Sequence, residues 1–183
     1  MASTTIDSEA AARVLAAAFA EDPLARWLLP GGAAAAAEAV FRPVVRESAA
    51  HDELAASADG SAVAVWLPRA PGPAHGVGEL PAELPPRLRT FLALIGQRHP
   101  RDREHLHLVF LGVAPDAQGR GLGGALLRRR LSRADAEGVP AYLEASSARS
   151  RQLYERHGFR DAGDPITLPD GPPLWPMWRE PRP

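Results

Sequence analysis

The string Gln118-Gly-Arg-Gly-Leu-Gly-Gly124 stands between two segments of opposite character. Before it, His105 to Val113 reads as a strand buried on both faces. After a short loop from Ala114, the stretch from about Arg120 to Glu137 reads as a helix. Glycines at such a junction remove Cβ atoms, so successive backbone N–H groups can surround an anion, and the start of the helix adds its positive end. The expected ligand is a pyrophosphate. Gly138 then turns the chain into a second strand, Ala141 to Ala145, which completes a β-loop-α-β unit.

The chain around this unit begins with helices. Ser8 and Glu9 cap an amphipathic run, Ala10 to Ala20, that stops near Asp22-Pro23. Leu24 to Leu29 can begin a short helix, and Ala33 to Ala50 carries Val40, Phe41, Val44 and Val45 on one face. Asp59-Gly60 signals a turn before a strand from Ser61 to Leu67. Proline and glycine are dense from Pro68 to Pro86, a long loop that is either a substrate lid or a surface excursion. Arg87 to Gln97 shows helical spacing of Leu88, Phe91, Leu92 and Ile95. After Ala145 come a helix around Arg151 to His157 and a strand pair, Arg160 to Leu168 and Leu174 to Arg179, turned at Asp170-Gly171. Helices and strands are mixed rather than strictly alternating, which predicts an α+β fold with a central twisted sheet.

Composition narrows the chemistry. A chain of 183 residues fits one domain, 1–183. With 21 basic against 22 acidic residues, no global field draws it to nucleic acid or an anionic membrane, so phosphate binding must be local. The absence of cysteine excludes a disulfide framework, a thiolate metal site and a cysteine nucleophile. The apolar run at Ala10 to Ala20 is too short for a membrane span and is broken by Arg13, so a soluble, cytoplasmic protein is expected.

Two kinds of site satisfy the glycine string. Gly119-x-Gly121-x-x-Gly124, with Glu144 twenty positions on at a strand end, fits a dinucleotide fingerprint and hence an oxidoreductase. That fold needs further β-α repeats downstream, and fewer than forty residues follow Glu144. The same string also reads Gln-x-x-Gly-x-Gly at Gln118, Gly121 and Gly123. Followed by Leu143-Glu-Ala-Ser146 and Leu153-Tyr-Glu-Arg-His-Gly-Phe159, it resembles the GCN5-related N-acetyltransferase (GNAT) superfamily. The resemblance is closest to the puromycin N-acetyltransferase branch, through Ala16-Ala-Ala-Phe-Ala-Glu-Asp-Pro23, Ala62-Val-Ala-Val-Trp66, Leu111 to Gly123 and Gly138 to Ser146.

That resemblance implies a three-layer α/β/α sandwich whose mixed, mostly antiparallel sheet is splayed at an acetyl-CoA site. It implies an acyltransferase that moves acetyl from acetyl-CoA to a small-molecule primary amine by direct attack, often as a homodimer. A non-catalytic acyl-CoA sensor is the alternative within the same resemblance. By the same resemblance Leu111 and Val113 offer main-chain groups to the pantetheine arm. Gln118, Gly119, Arg120, Gly121, Leu122, Gly123 and Gly124 hold the pyrophosphate, and Tyr154 contacts the cofactor and protonates the leaving thiolate. Ser150 replaces an asparagine that usually reaches the cofactor, and the contact can shift to Arg149 or Arg151.

An attacking amine must lose a proton, since a free alkylammonium has a pKa of about 10.4. Glu144 is the candidate base; the other readings are a carboxylate that orients the substrate ammonium or pairs with an arginine. His105-x-His107 points both imidazoles to one face of a strand but brings no third ligand. No metal is expected, and His107 fits a structural or substrate-side role, with a base role also open. Arg128-Arg-Arg130 reads as a solvated helix surface. Phe19, Trp27, Trp66, Trp175 and Trp178 are the aromatics expected around the acceptor, with Trp66 preferred.

Overall fold

The computed structural model describes residues 6–29, 31, 34–72 and 84–183. Asp7, one position before the expected Ser8, caps α1 (Ser8–Phe19) by accepting the amides of Glu9 and Ala10. Asp22 does the same for α2 (Pro23–Leu28), accepting from Leu24 and Ala25, so the residue read only as a helix stop also starts the next helix. α3 (Ala34–Ala50) follows, burying Phe41 and Val45. Then come β1 (Leu54–Ala56), which the sequence did not suggest because it is only three residues long, and β2 (Ala62–Arg69). The Pro-rich segment lies outside the described residues from 73 to 83, and with it most of the expected lid. α4 (Pro86–Arg98) leads to β3 (His105–Val113), α5 (Leu122–Glu137), β4 (Ala141–Ala145) and α6 (Ala148–Arg156). β5 (Arg160–Asp161) and β6 (Trp175–Arg179) end the order.

The expected strand from Arg160 to Leu168 is therefore cut to two residues and an isolated bridge between Ile166 and Leu174. Gly163 adopts a positive φ of 94°, and Pro165 has no N–H to give a ladder. The six strands form one open sheet in the order β1-β2-β3-β4-β6-β5. Among the described residues only β3 and β4 run parallel; all other pairs are antiparallel. This mixed sheet, flanked by helices on both faces, is the α+β sandwich expected. It also removes the dinucleotide reading in topological terms, because β4 is followed by antiparallel β6 and not by further parallel β-α repeats.

A bulge in β3 organises the two faces. Val65 pairs with Phe110 and Trp66 with Leu108, so Val109 is the extra residue and the inside-outside alternation reverses across it. Leu106 and Leu108 pack with α5 through Leu126, Leu127 and Leu131, beside Leu143 and Met177. Beyond the bulge, Leu111 and Val113 turn to the same α5 side, while Phe110 joins Phe19 and Phe41 in the cluster under α1 and α3. Gly112 meets α1 so closely that a Cβ there would lie 2.9 Å from Leu15 Cδ2 and 3.0 Å from Ala18 Cβ.

Two surface expectations change. Trp66 is fully buried in the α5-side core, because its register opposite Leu108 places it on the covered face. Arg130 is buried too: its Nε and Nη2 donate to Glu53 at 2.6 and 2.8 Å, whereas Arg128 and Arg129 are exposed. Glu53 lies at the start of the β1 edge, next to the inner side of α5. Among the described residues no helix is long and apolar enough to cross a membrane.

Candidate active site

β3 and β4 pair only from Leu106, His107 and Leu108 to Ala141, Tyr142 and Leu143. Past that point β3 continues to Val113 without β4 beside it, so the edge of Val109–Val113 opens into a groove. This also explains why the second half of β3, expected to be covered on both faces, is half-buried at Val109, Phe110, Leu111 and Val113. The groove encloses about 490 Å³. Its floor is the 111–113 segment, one wall is Gln118 to Gly124, and the opposite wall is Ser146 to Tyr154.

The phosphate wall is built by glycine. Gly119 and Gly121 have φ of 79° and 76°, a left-handed region that other residues enter at a cost, and no atom lies within 4 Å of the Cβ either would carry. α5 begins at Leu122, two residues later than expected, with Gly121 as N-cap and no side chain capping it. The leading amides thus face the groove with the helix dipole behind them, as an anion requires. Gln118, Gly119, Gly121, Leu122, Gly123 and Gly124 all line the groove. Gln118 also donates to the Val113 carbonyl at 3.2 Å, tying the loop to the end of β3. Arg120 is exposed, donates to the Asp116 carbonyl at 2.8 Å and is not among the lining residues.

On the opposite wall Ser147 caps α6 and exchanges hydrogen bonds with Ser150, whose hydroxyl donates to the Ser147 carbonyl at 2.9 Å. Ser150 thus lines the groove while its hydroxyl is engaged in a capping box. Arg149 and Arg156 line the groove beside it, whereas Arg151 pairs with Asp161. Tyr154 lines the groove as well and is largely buried; that burial, with Asp22 nearby, pushes its phenol above the ordinary value and keeps it protonated.

Phe19, expected near the acceptor, lines the groove, and with it Ala18 of α1 and Glu21 and Asp22 of the link to α2, to which sequence reasoning assigned no role; Ser146 Oγ donates to Asp22 Oδ2 at 2.9 Å. Asp22 thereby links α2 to the end of β4 across 124 positions. The matching Ala16–Pro23 segment was its only signal in the sequence.

Glu144 does not line this groove. It sits on the other face of the sheet, just beyond the last β3–β4 pair, and accepts from His107 Nε2 at 2.9 Å, with side chains only 11% and 9% exposed. Its partner is therefore a histidine, not an arginine. Burial works to raise the Glu144 carboxyl, but His107, which bonds to it, and the nearby His99 hold it below the usual carboxylate value. His99, at the end of α4, completes what the strand alone lacked: one donor atom each from His99, His107 and Glu144 lies within 4.8 Å of the others. That corrects the expectation of no third ligand. Trp27 is packed with Ile166, Leu168 and Leu174 beneath the Arg87 guanidinium, Trp175 is packed against the main core, and Trp178 lies against His105 and Arg103; none lines the groove.

With this geometry in place, comparisons with known proteins converge. Residues 82–159 match the Acetyltransferase (GNAT) family model. A mycothiol acetyltransferase of Beutenbergia cavernae is 54% identical over 55 residues, covering 28% of this chain and 18% of that protein. The chain matches only about a fifth of the length of such curated relatives. Among solved structures, a histone acetyltransferase HPA2 and related acetyltransferase from Corynebacterium glutamicum has a TM-score of 0.68 and 30% identity, covering 99% of this chain and 95% of that one. A polyamine N-acetyltransferase of Drosophila melanogaster has a TM-score of 0.70 at 20% identity, over 95% and 96% of the two chains, a likeness of fold.

Proposed function

The chain belongs to the acetyltransferase (GNAT) family, and from that premise we propose that it moves acetyl from acetyl-CoA directly onto a primary amine of a small molecule. The observation that carries the proposal is the groove itself, an uncapped, glycine-lined helix start beside an open strand edge. Acetyl-CoA bound there supplies the thioester carbonyl that the amine attacks. The amides of Leu122, Gly123 and Gly124 hold the pyrophosphate, and Gln118 fixes the loop that presents them. Arg149 and Arg156 add positive charge to the opposite wall. Leu111 and Val113 offer backbone groups to the pantetheine arm, since β4 no longer occupies that edge.

Glu144 and His107 take up the proton the amine must lose, through the gap where the β3–β4 ladder ends. Tyr154, held protonated at the groove, donates to the departing thiolate. Glu21 and Asp22 put negative charge at the end of the groove next to Phe19, which suits an acceptor carrying an ammonium before attack. Agmatine and polyamine enzymes among the fold neighbours make aminoalkyl compounds the first class to try, with puromycin beside them.

A thiol-release assay with acetyl-CoA against polyamines, agmatine, arylalkylamines and puromycin tests this. Turnover should fall by ~10²–10⁴ in Tyr154→Phe and in Glu144→Gln, the usual contribution of a positioned acid or base. Acetyl-CoA binding without turnover on any amine would turn the reading to a sensor, and full activity in both variants would remove the two assignments.

A further inference from the structure

The face of the sheet turned away from α5 holds a group of side chains that acetyl transfer uses only in part. The rings of His99, His105 and His107 gather around Tyr142, with His99 centred 4.9 Å from His105, 4.8 Å from His107 and 5.1 Å from Tyr142. Three buried polar atoms here, His107 Nδ1, Glu144 Oε1 and the Tyr142 hydroxyl, have no hydrogen-bond partner. Leaving such atoms unpaired is costly, which suits a place that takes up a further bonding partner.

We infer that His99, His107 and Glu144 form a binding site for a divalent transition-metal ion, with zinc the best match. Two imidazole nitrogens and a carboxylate oxygen are a zinc donor set with a fourth position open. Magnesium and calcium want oxygen ligands only. Four-coordinate zinc at ~2.0–2.1 Å sets its donors roughly 3.4 Å apart. The three donor atoms, now within 4.8 Å of one another, must close by about 1.4 Å at most. His99 can make that move, being half-buried and positioned just after the last turn of α4.

The surroundings prepare the ligands. His105 donates its Nδ1–H to the Arg103 carbonyl at 2.9 Å, so its Nε2 accepts the Nε2–H of His99 at 3.0 Å. That leaves the lone pair of His99 on its other nitrogen, with His105 as the outer partner that metal-bound histidines commonly have. The charged and polar groups around the site are Arg69, Arg98, His105, Tyr142 and Glu144. The single carboxylate among them gives the ion its anionic ligand.

Zinc held there occupies the pair assigned above to accept the amine proton. Inhibition of transfer is therefore a consequence that rests on that assignment, while binding does not. The test is calorimetric titration of the metal-stripped full chain with zinc chloride, in parallel with His99→Ala, His99→Gln and Glu144→Gln, each checked for an unchanged melting profile. One zinc per chain is expected. Loss of His99 should weaken it by more than the ~10–100-fold that removing an outer partner costs. Absence of zinc binding by the wild type, or equal affinity in all four proteins, overturns the site. Zinc that inhibits the wild type and spares His99→Ala supports both readings. Zinc that binds at these residues and leaves transfer unchanged keeps the site and removes Glu144 from proton acceptance.

Discussion

The buried pair between Glu53 and Arg130 joins the edge of the sheet to α5 and should be among the costliest polar contacts to break. Glu53 is 8% and Arg130 9% exposed at the side chain, and the contact is bidentate. The two partners are not equivalent. Glu53 also accepts from Arg133, which is half-exposed, so removing Arg130 still leaves the carboxylate one cation. Removing the Glu53 charge leaves a buried guanidinium whose remaining acidic partner is Glu137, 3.2 Å away and 41% exposed. Breaking a buried pair from one side costs about 3–5 kcal/mol. Glu53→Gln should therefore reach that range, and Arg130→Met should fall below it. For a domain of this size that range corresponds to a melting temperature roughly 6–20 °C lower. Replacing both residues with apolar ones should recover much of the loss, because neither charge is then stranded. Denaturant melts of the two single variants and the double variant measure this directly. A Glu53→Gln loss under ~1 kcal/mol, or a larger loss in Arg130→Met, would refute the reasoning.

Three further outcomes follow from particular contacts. The Arg179 guanidinium, donating to Asp135 at 2.6 and 2.7 Å, holds that carboxyl below its ordinary value. Its stabilisation is complete above the unfolded value of about 3.9 and is lost as pH falls through the lower folded value. The stability advantage of wild type over Asp135→Asn should shrink on acidification from about pH 5, and an advantage constant with pH would contradict the pairing. Gly112→Ala crowds Leu15 and Ala18, so it should cost about 1–3 kcal/mol and weaken acetyl-CoA binding as α1 moves from the groove; an unchanged melt would show that α1 gives way freely. Ser147→Ala removes the cap of α6 and should cost about 0.5–2 kcal/mol, with slower transfer because Tyr154 rides on that helix, both read from melts and initial rates.

The parts of this account visible in the sequence are those set by neighbours along the chain. The bounds of β3 and β4, the glycine wall and the line of Tyr154 all follow from local pattern and motif. What was hidden depends on pairing across the fold. The bulge at Val109 reverses the faces of β3, and no periodicity in His105 to Val113 marks it. Trp66 shares a face of β2 with Ala62 and Ala64, and it is the cover of α5 over that face, not anything beside it in the chain, that makes it core. Arg130 looked like a surface residue within an arginine run until Glu53, 77 positions away, came to meet it. Asp22 and Ser146 face each other over a longer separation still. His99 followed a helix stop and gave no sign that it closes on His107 and Glu144.

On the function proposed above, the groove between Gln118–Gly124 and Ser146–Tyr154 receives acetyl-CoA. Calorimetric titration of the protein with acetyl-CoA and, separately, with NAD tests it most directly. Saturable one-to-one binding of acetyl-CoA that weakens when Gly121 is replaced by valine is expected, with no binding of NAD. Binding of NAD without acetyl-CoA, or acetyl-CoA binding indifferent to Gly121, would contradict it.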